Sequence, residues 1–328
     1  MKYSFEELAG KLPVALIEQL KKTPQNPHYH SEGNVFNHIK MVYEELHIYE
    51  NLDLYISALF HDLGKIDTLH VYEKEKGIKV QTIGHEDYSQ SYIDKYKDCY
   101  IDYDIDWTKV AFICLLHMRA HKYLAGEIKK EGKKAIFETH KYSKELLQFA
   151  NADNKGRIKD MKNQSFLIIT LGIPGAGKSY WRKDFTSKHP EFRVICPDDI
   201  RREVTGSVSN ITQDALVWET AYHTLKELLA NREDIIFDST AVNTRTQKAI
   251  ENIGKANNAI IIYKIFEVPL EVAKERIIKD IENNVDRSKV PMEIVEKMFN
   301  NFTSAKERVL VEVEAKNVFL LEEKFKDA

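Results

Sequence analysis

Apolar residues in the first half of the chain recur every three or four positions. This spacing runs through Leu12 to Leu20, Val35 to Tyr49, Tyr55 to Leu63, Val110 to Leu116 and Leu146 to Phe149. It places the apolar side chains on one face of an α-helix, whereas a half-buried strand would alternate every second residue. Strand-like alternation is scarce before the polar segment 151–164. We therefore predict that the first half is all-α.

From Ser165 onward, compact apolar runs alternate with amphipathic stretches. The runs predicted to be strands are 166–171, 193–195, 234–237 and 259–266, and helices are predicted from 178, around 212–229 and around 246–256. Continuous apolar runs are typical of strands that are buried on both faces of a parallel sheet. The pattern predicts an α/β domain with a parallel sheet over residues 165–328, after a first domain over residues 1–160.

Length and composition agree with two soluble domains. A chain of 328 residues is longer than one hydrophobic core usually spans. It contains no apolar run near the ~20 residues that a membrane-spanning helix needs. Its three cysteines have no paired spacing, and the opening residues lack the order of a secretory signal. We expect a cytoplasmic protein that does not associate with membranes.

Charge bears on the question of nucleic-acid binding. The 48 basic and 51 acidic residues divide almost evenly between the two halves, so neither half is a basic domain. Any contact with nucleic acid must therefore use local patches at an active site. One basic patch lies between Arg119 and Lys141, and a solvated helix face or loop explains it equally well.

A glycine-rich loop follows the first predicted strand of the second half. The segment Gly172-Ile-Pro-Gly175-Ala176-Gly177-Lys178-Ser179 satisfies G-x-x-x-x-G-K-[ST], with a strand before it and a helix after it. Glycines allow successive backbone N–H groups to point at phosphate oxygens, while the lysine reaches the β and γ phosphates and the serine ligates Mg²⁺. We predict that this loop binds ATP or another nucleoside triphosphate with Mg²⁺.

Residues after the second strand predict the acceptor chemistry. Asp198 and Asp199 are followed by Arg201, and we place this segment at the end of a strand beside the P-loop strand. A carboxylate there can take a proton from an attacking hydroxyl, and an arginine one turn later can bind a phosphate of the acceptor. Alternatively, one of the two aspartates caps the helix that follows.

Further candidates follow the later strands. Asp238, Thr240 and Asn243 lie after the third strand, where they could orient the acceptor or approach the Mg²⁺. Arg276 and Arg287 lie where a mobile lid would neutralise the transferring phosphoryl group. Arg276 in particular could equally be a surface arginine.

Together, GIPGAGKS, PDDIR, DST, FEVP and DRSKVP resemble the phage and bacterial 5′-polynucleotide kinases over about half of the chain. The resemblance implies that Asp198 is the general base for the 5′-hydroxyl. It also implies that Arg201 binds the phosphate 3′ of the acceptor nucleoside. The lid role is carried over to Arg287 more readily than to Arg276.

The first half contains a series of histidines and aspartates. In chain order these are His38, His61, Asp62, His85, His117 and Asp153. The order resembles the H…HD…H…H…D signature of HD-domain metallophosphohydrolases. That resemblance implies an all-α HD domain whose adjacent His-Asp pair, on one helix, ligates one or two divalent transition metals such as Mn, Ni, Co, Cu or Zn. Two such ions would activate a hydroxide for hydrolysis of a phosphate ester.

Other residues near the signature are candidate substrate contacts. Lys65 follows Asp62 by one turn and could hold the substrate phosphate, and Arg119 is a second candidate. His30 and His121 lie outside the pattern, and we leave their roles open along with that of Asp199.

The whole chain resembles the bifunctional bacterial end-healing enzymes of RNA repair, in which an HD phosphohydrolase precedes a polynucleotide kinase (HD-Pnk). This implies substrates that are broken RNA ends, with DNA left open, and a separate ligase as partner, because no K-x-D-G ligase motif occurs. A homodimer is also left open. The alternatives are a small-molecule kinase for a nucleoside or antibiotic fused to a nucleotide phosphohydrolase, a nucleotide-level regulator, and a non-enzymatic switch that binds nucleoside triphosphates.

Overall fold

The computed structural model describes residues 3–27, 30–74, 77–157, 164–283 and 290–322. These residues form two compact units. The first contains the described residues of 1–70 and 80–162, and the second contains those of 71–79 and 163–328. The segment 71–79 therefore packs with the second unit, although it lies within the sequence of the first.

The first unit is helical. Its helices are α1 (Phe5–Ala9), α2 (Val14–Lys22), α3 (Val35–Leu46), α4 (Leu52–Phe60), α5 (Lys65–Thr68), α6 (His85–Tyr96), α7 (Trp107–Leu124), α8 (Glu131–Glu138) and α9 (Ser143–Lys155). Helices α3, α4, α7 and α9 pack against one another around the main core. The residues 54–60 of α4 are all buried, which makes α4 the central helix of this unit.

Helix α3 shows how the sequence specifies these elements. The Asn34 side chain caps its start by accepting a hydrogen bond from the Asn37 N–H at 2.9 Å. Val35, Ile39 and Val42 are fully or almost fully buried at helical spacing. Each such side chain contributes roughly 1.5–3 kcal/mol by burial. His38 shares this face, so packing of the apolar residues also carries its imidazole into the interior.

The second unit contains a five-stranded sheet. Its elements are β3 (Phe166–Leu171), α10 (Lys178–Lys188), β4 (Phe192–Ile195), α11 (Pro197–Thr205), α12 (Asp214–Ala230), β5 (Asp234–Phe237), α13 (Thr244–Ala256), β6 (Ile260–Ile265), α14 (Leu270–Glu282), α15 (Met292–Glu314) and β7 (Phe319–Leu320). The strands are all parallel, which confirms the predicted parallel sheet.

The strand order is β4-β5-β3-β6-β7, with the P-loop strand β3 in the middle. The chain leaves β3 toward one edge of the sheet and later returns to its other side as β6. Such a change of direction creates a crevice at the carboxyl ends of the strands, where open α/β sheets bind ligands. The registers of Leu171 with Ile265 and of Ile195 with Phe237 bring the ends of four strands to this edge.

This order corrects one prediction. The strand that leads to Asp198 is β4, and β5 lies between it and β3. Asp238, at the end of β5, therefore follows the strand that directly adjoins the P-loop strand. Neighbours along the chain are not neighbours in the sheet here, because the crossover from β3 to β4 skips one strand position.

A hairpin that the sequence pattern did not predict follows α5. It consists of β1 (His70–Lys74) and β2 (Gly77–Gln81). The Glu322 N–H donates to the Val71 carbonyl oxygen at 3.1 Å, and His189 Nε2 lies 3.1 Å from Glu73 Oε1. These contacts hold the hairpin on the second unit. Among the described helices, none is both long and apolar enough to cross a membrane.

Candidate active sites

The glycine-rich loop between β3 and α10 has the backbone that its sequence predicts. Gly175 and Gly177 adopt φ angles of +80° and +100°, a region that L-residues with a Cβ atom rarely enter. A Cβ on Gly175 would lie 2.5 Å from the Ala273 carbonyl oxygen, so α14 also leaves no space for a side chain. The loop thus curls tightly at the N-terminus of α10, where N–H groups and the helix dipole favour an anion.

Lys178 and Ser179 open α10. The Lys178 ammonium donates to the carbonyl oxygens of Gly172 and Ile173, at 2.8 and 2.9 Å, so it lies across the loop. Ser179 is exposed. Arg276 reaches the same loop from α14, where its Nη1 donates to the Gly175 carbonyl oxygen at 3.2 Å. The predicted nucleotide-binding residues that the structure describes are therefore together, whereas Arg287 lies outside the described residues.

Asp238 lies at the sheet edge beside this loop. It accepts a hydrogen bond from Thr170 Oγ1 at 3.2 Å and pairs with Arg182 Nη1 at 3.1 Å. Burial raises the pKa of Asp238, and the cations Arg182 and Lys178 partly offset that rise. Asp238 is thus a buried carboxylate at the end of β5, the strand next to the P-loop strand.

The two aspartates after β4 have different partners. Asp198 pairs with Arg201, and Asp199 pairs with Arg182 at 3.2 Å and with Arg202 at 2.9 Å. Neither aspartate is the N-cap residue of α11, because that position is Cys196. Both lie in the first helical turn, where carboxylates interact favourably with the helix dipole.

Arg201 is buried, with only 6% of its surface exposed. It bonds Asp198 and also donates to Asp214 Oδ1 at 2.8 Å, so two carboxylates fix its guanidinium. Thr240 contributes its carbonyl oxygen to the Gly172 N–H at 3.0 Å. The Asn243 side chain caps α13 by accepting from the Arg245 N–H at 2.8 Å, which is a structural use rather than the substrate contact that we predicted.

Sequence reasoning missed Arg182. It lies one helical turn after Lys178 on α10, and its guanidinium joins Asp199 to Asp238. The i, i+4 spacing from the P-loop lysine was the available signal.

In the first unit, all six residues of the predicted metal signature lie together in the interior. His38, His61, Asp62, His85, His117 and Asp153 are each at most 3% exposed. They come from α3, α6, α7, α9 and the turn after α4. The His61-Asp62 pair is therefore not on one helix as predicted, because α4 ends at Phe60.

Backbone carbonyl groups orient four of the imidazoles. The Nδ1 atoms of His38, His61, His85 and His117 donate to the carbonyl oxygens of Gly156, Ala58, Thr82 and Cys114, at 2.7 to 3.1 Å. When such a ring is neutral, this hydrogen bond leaves the lone pair on Nε2, the nitrogen that faces the cluster. Metal-ligating histidines are commonly fixed in this way by their second nitrogen.

Asp62 lies between two sets of imidazoles. Its Oδ2 is 3.3 Å from His61 Nε2 and 3.5 Å from His38 Nε2, while its Oδ1 is 3.3 Å from His85 Nε2 and 3.9 Å from His117 Nε2. Two groups of potential ligands, His38-His61-Asp62 and Asp62-His85-His117, thus share one carboxylate. Asp153 Oδ1 lies 3.0 Å from His38 Nε2 and joins the first group.

The donor set fits divalent transition metals. His61 Nε2 is buried and makes no hydrogen bond within the described part of the chain, although Asp62 Oδ2 lies only 3.3 Å away. The Nε2 atoms of His85 and His117 face each other at 3.2 Å, an unfavourable approach for two lone pairs unless a proton or cation lies between them. Burial holds the pKa of His117 well below its usual range, which keeps it in the neutral form that binds metals.

The predicted substrate contacts of this unit are placed differently. Lys65 Nζ lies 2.7 Å from Asp62 Oδ2 and donates to Gln25 Oε1 at 2.6 Å, so it is engaged by the cluster. Arg119 is exposed, and at two residues from His117 it lies about 200° around α7, away from the cluster. The structure thus argues against a substrate contact by Arg119.

Three residues outside the signature also contact the cluster. His30 Nδ1 is 2.7 Å from Glu32 Oε1, which in turn lies 3.2 Å from His38 Nδ1. His121 Nε2 is 2.6 Å from Asp153 Oδ2. His30 and His121 were named from the sequence with their roles left open, whereas Glu32 carried no sequence signal.

Comparison with known proteins identifies part of the chain. Residues 167–305 match the family described as an AAA domain. Over 142 residues the chain is 28% identical to the L-seryl-tRNA(Sec) kinase of Methanococcus maripaludis, an alignment that covers 42% of this chain and 52% of that protein. The chain therefore spans about half the length of this curated relative.

Solved structures show weaker similarity. A chain of the Pnkp1/Rnl/Hen1 RNA repair complex is 24% identical with a TM-score of 0.41, covering 45% of this chain and 47% of that one. The shikimate kinase of Acinetobacter baumannii is 16% identical with a TM-score of 0.29, covering 50% and 87%. Together, the family match, the loop geometry and the parallel sheet indicate a P-loop domain in the second unit.

Proposed function

We propose that the second unit transfers the terminal phosphoryl group of a nucleoside triphosphate to the 5′-hydroxyl end of a polynucleotide. The observation that carries this proposal is the pairing of Asp198 with the buried Arg201 at the same sheet edge as the P-loop. A kinase needs a base for the acceptor hydroxyl and cations for the phosphates, and this edge supplies both.

The proposed reaction assigns one task to each group. Lys178 and the loop N–H groups hold the β and γ phosphates, and Ser179 would bind Mg²⁺, which when present neutralises charge on the triphosphate. Asp198 accepts the proton of the 5′-hydroxyl while the hydroxyl oxygen attacks the γ-phosphorus. The bond to the β–γ bridging oxygen breaks, and the nucleoside diphosphate leaves.

A polynucleotide acceptor is favoured over a small molecule by Arg201. Its guanidinium is held by Asp198 and Asp214 in a fixed orientation, which suits bidentate recognition of a phosphodiester next to the attacking hydroxyl. The name of one relative, L-seryl-tRNA(Sec) kinase, also supports a substrate that contains RNA, although the seryl group in that name carries its own hydroxyl.

The test is transfer from γ-labelled ATP to an RNA oligonucleotide with a 5′-hydroxyl. We expect Asp198→Asn to lower kcat by about 10²–10⁴-fold, the usual contribution of a general base. Asp199→Asn is the matched control, because Asp199 is bound by Arg182 and Arg202, and its effect should be much smaller. Transfer to a free nucleoside at equal efficiency, unchanged by Arg201→Gln, would instead support the small-molecule kinase.

We propose further that the first unit holds one or two divalent transition ions and hydrolyses phosphate esters at the 2′,3′ ends of RNA. The observation that carries this proposal is Asp62, whose two oxygens face two separate sets of imidazoles. When bound, such ions activate water and stabilise charge at phosphorus. His38, His61, Asp62 and Asp153 would hold one ion, and Asp62, His85 and His117 the other.

Metal analysis and hydrolysis test this proposal together. The purified wild-type protein should retain Mn, Ni, Co, Cu or Zn and release phosphate from RNA with a 2′,3′-cyclic phosphate end. Asp62→Asn should abolish both, because it removes the charge of the bridging carboxylate. Lys178→Ala should abolish phosphoryl transfer but leave metal retention and phosphate release unchanged. If either variant lost both phosphoryl transfer and phosphate release, the two activities would not have separate sites.

The two activities have a joint chemical purpose. Cleavage that leaves a 2′,3′-cyclic phosphate and a 5′-hydroxyl produces ends that cannot be ligated. Hydrolysis at one end and phosphorylation at the other would restore a 3′-hydroxyl and a 5′-phosphate. We propose that the chain heals RNA ends in this way and that a separate ligase seals them.

A further inference from the structure

Besides the proposed metal ions, the hydrolase site needs a protein donor that can bind and orient the substrate phosphate. Asp62, Asp153 and Glu32 place three carboxylates around the cluster, and a phosphate monoester adds up to two negative charges. Lys65 is turned onto Asp62 and Gln25, and Arg119 faces away. The two cations that the sequence suggested for this role are thus poorly placed for it.

Arg157 is placed well for it. It lies just after α9, one helical turn beyond Asp153, and its Nη2 is 3.5 Å from Asp153 Oδ2 and 3.3 Å from His121 Nε2. Its side chain is 21% exposed, whereas that of Asp153 is 2% exposed. The side chain therefore lies at the boundary between the buried ligands and the solvent.

Part of this guanidinium has no partner among the described residues. Arg157 Nε is buried and makes no hydrogen bond to any described residue. Leaving a buried charged donor unsatisfied is costly, so such a group is commonly satisfied by a ligand or water. The arginine fork presents five donors whose geometry matches the oxygens of a phosphate.

We propose that Arg157 binds the non-bridging oxygens of the substrate phosphate beside the metal cluster. This inference rests on the proposed hydrolase function of the first unit. It also defines a preference. A terminal phosphate monoester is a dianion with three free oxygens, whereas a 2′,3′-cyclic phosphate is a monoanion with two, so the monoester gains more from Arg157.

The experiment uses the full-length protein and compares RNA that ends in a 3′-phosphate with RNA that ends in a 2′,3′-cyclic phosphate. Arg157→Gln should raise KM for the monoester by about tenfold or more, with a smaller effect on the cyclic ester. Inhibition by orthophosphate should weaken to the same degree. Arg157→Lys keeps the charge without the fork and should give an intermediate value.

Two further measurements separate binding from folding. Metal content by elemental analysis, and orthophosphate affinity by calorimetry on the metal-loaded protein, are both measured for each variant. Metal content should stay at the wild-type level in Arg157→Gln while phosphate affinity falls. Lys155→Gln removes an exposed charge from the same helix and should leave both at wild-type values.

Two outcomes would overturn the role of Arg157 alone. Wild-type phosphate affinity in Arg157→Gln is one, and loss of metal in both Arg157 variants is the other, since that would show that the arginine only supports Asp153. A wild-type protein that retains no divalent ion and hydrolyses neither RNA would instead refute the proposed hydrolase, and the role of Arg157 would fall with it.

Discussion

Helix α10 places two cations with different tasks at one site. Lys178 lies over the P-loop, and Arg182, one turn later, contacts Asp199 and Asp238. The second contact leaves Asp198 paired with Arg201 alone among these arginines. Arg182 thus binds the carboxylates of Asp199 and Asp238. It makes no such contact with Asp198, the residue proposed as the base.

Replacing Arg182 should change the pH dependence of phosphoryl transfer. Burial raises the pKa of Asp238, and Arg182, 3.1 Å away, lowers it. Arg182→Gln removes that cation, so the carboxylate becomes harder to ionise and its pKa rises further. The acidic limb of the kcat/KM profile should move to higher pH by about one unit.

Two control variants separate the charge of Arg182 from its contact with Asp199. Arg182→Lys retains the charge and should restore most of the acidic limb. Arg202→Gln removes the other arginine on Asp199 without touching Asp238, so its profile should match that of the wild-type protein. An unshifted limb in Arg182→Gln would show that Asp238 does not titrate in the reaction.

At the scale of elements, the P-loop depends on helix α14 as well as on its own glycines. Gly175 combines a positive φ with close approach to the Ala273 carbonyl oxygen. Gly206 has a similar φ of +79°, but a Cβ added there would meet no atom within 4 Å. The two positions therefore separate backbone strain from steric overlap.

Gly175→Ala should be more damaging than Gly206→Ala. Strain alone at Gly206 should cost about 1 kcal/mol of unfolding free energy. At Gly175 the same strain is joined by overlap with α14, which must move away from the loop. Denaturant unfolding should show the larger loss for Gly175→Ala, together with a weaker affinity for ATP, while Gly206→Ala should bind ATP normally. Equal losses in both variants would contradict a role for α14.

Local patterns predicted much of this architecture. The apolar runs found β3 to β6 because buried parallel strands need continuous apolar residues, and the P-loop was found because its glycines have a fixed chemical purpose. The order of β4 and β5 was not accessible, since a crossover can pass over a neighbouring position without any local signal. The hairpin was missed because His70–Lys74 mixes polar and apolar residues like an exposed helix.

The same limit explains the site residues. The signature histidines were predicted because their order along the chain is distinctive, although their shared cluster depends on the packing of five segments. Arg119 and Lys65 were chosen for closeness in sequence, and Arg157, four residues after Asp153, was nearly as close but was not considered. Whether a charge near a motif faces the site is decided by helix phase and by competing partners, which a single sequence does not specify.

At the scale of the whole molecule, each of the two units is built from two separate segments of the chain. The hairpin segment 71–79 lies between α5 and α6 of the first unit, yet it packs with the second. Val71, Tyr72 and Glu73 each contact the second unit, through Glu322 and His189. A fragment that starts at residue 163 would therefore lack part of the unit that carries the P-loop.

Substitution of Tyr72 should destabilise the second unit selectively. Tyr72 is 2% exposed, and truncating a large buried aromatic side chain typically costs about 3–5 kcal/mol. Tyr72→Ala should lower the thermal midpoint for loss of phosphoryl transfer, while metal content and phosphate release by the first unit persist to the wild-type temperature. Tyr43→Ala is the matched control, because Tyr43 is 1% exposed in the core of the first unit and should give the opposite pattern. If Tyr72→Ala instead reduced metal retention at a lower temperature than phosphoryl transfer, the hairpin would stabilise the first unit. The second unit would then not need the hairpin, and residues from 163 onward would suffice for it.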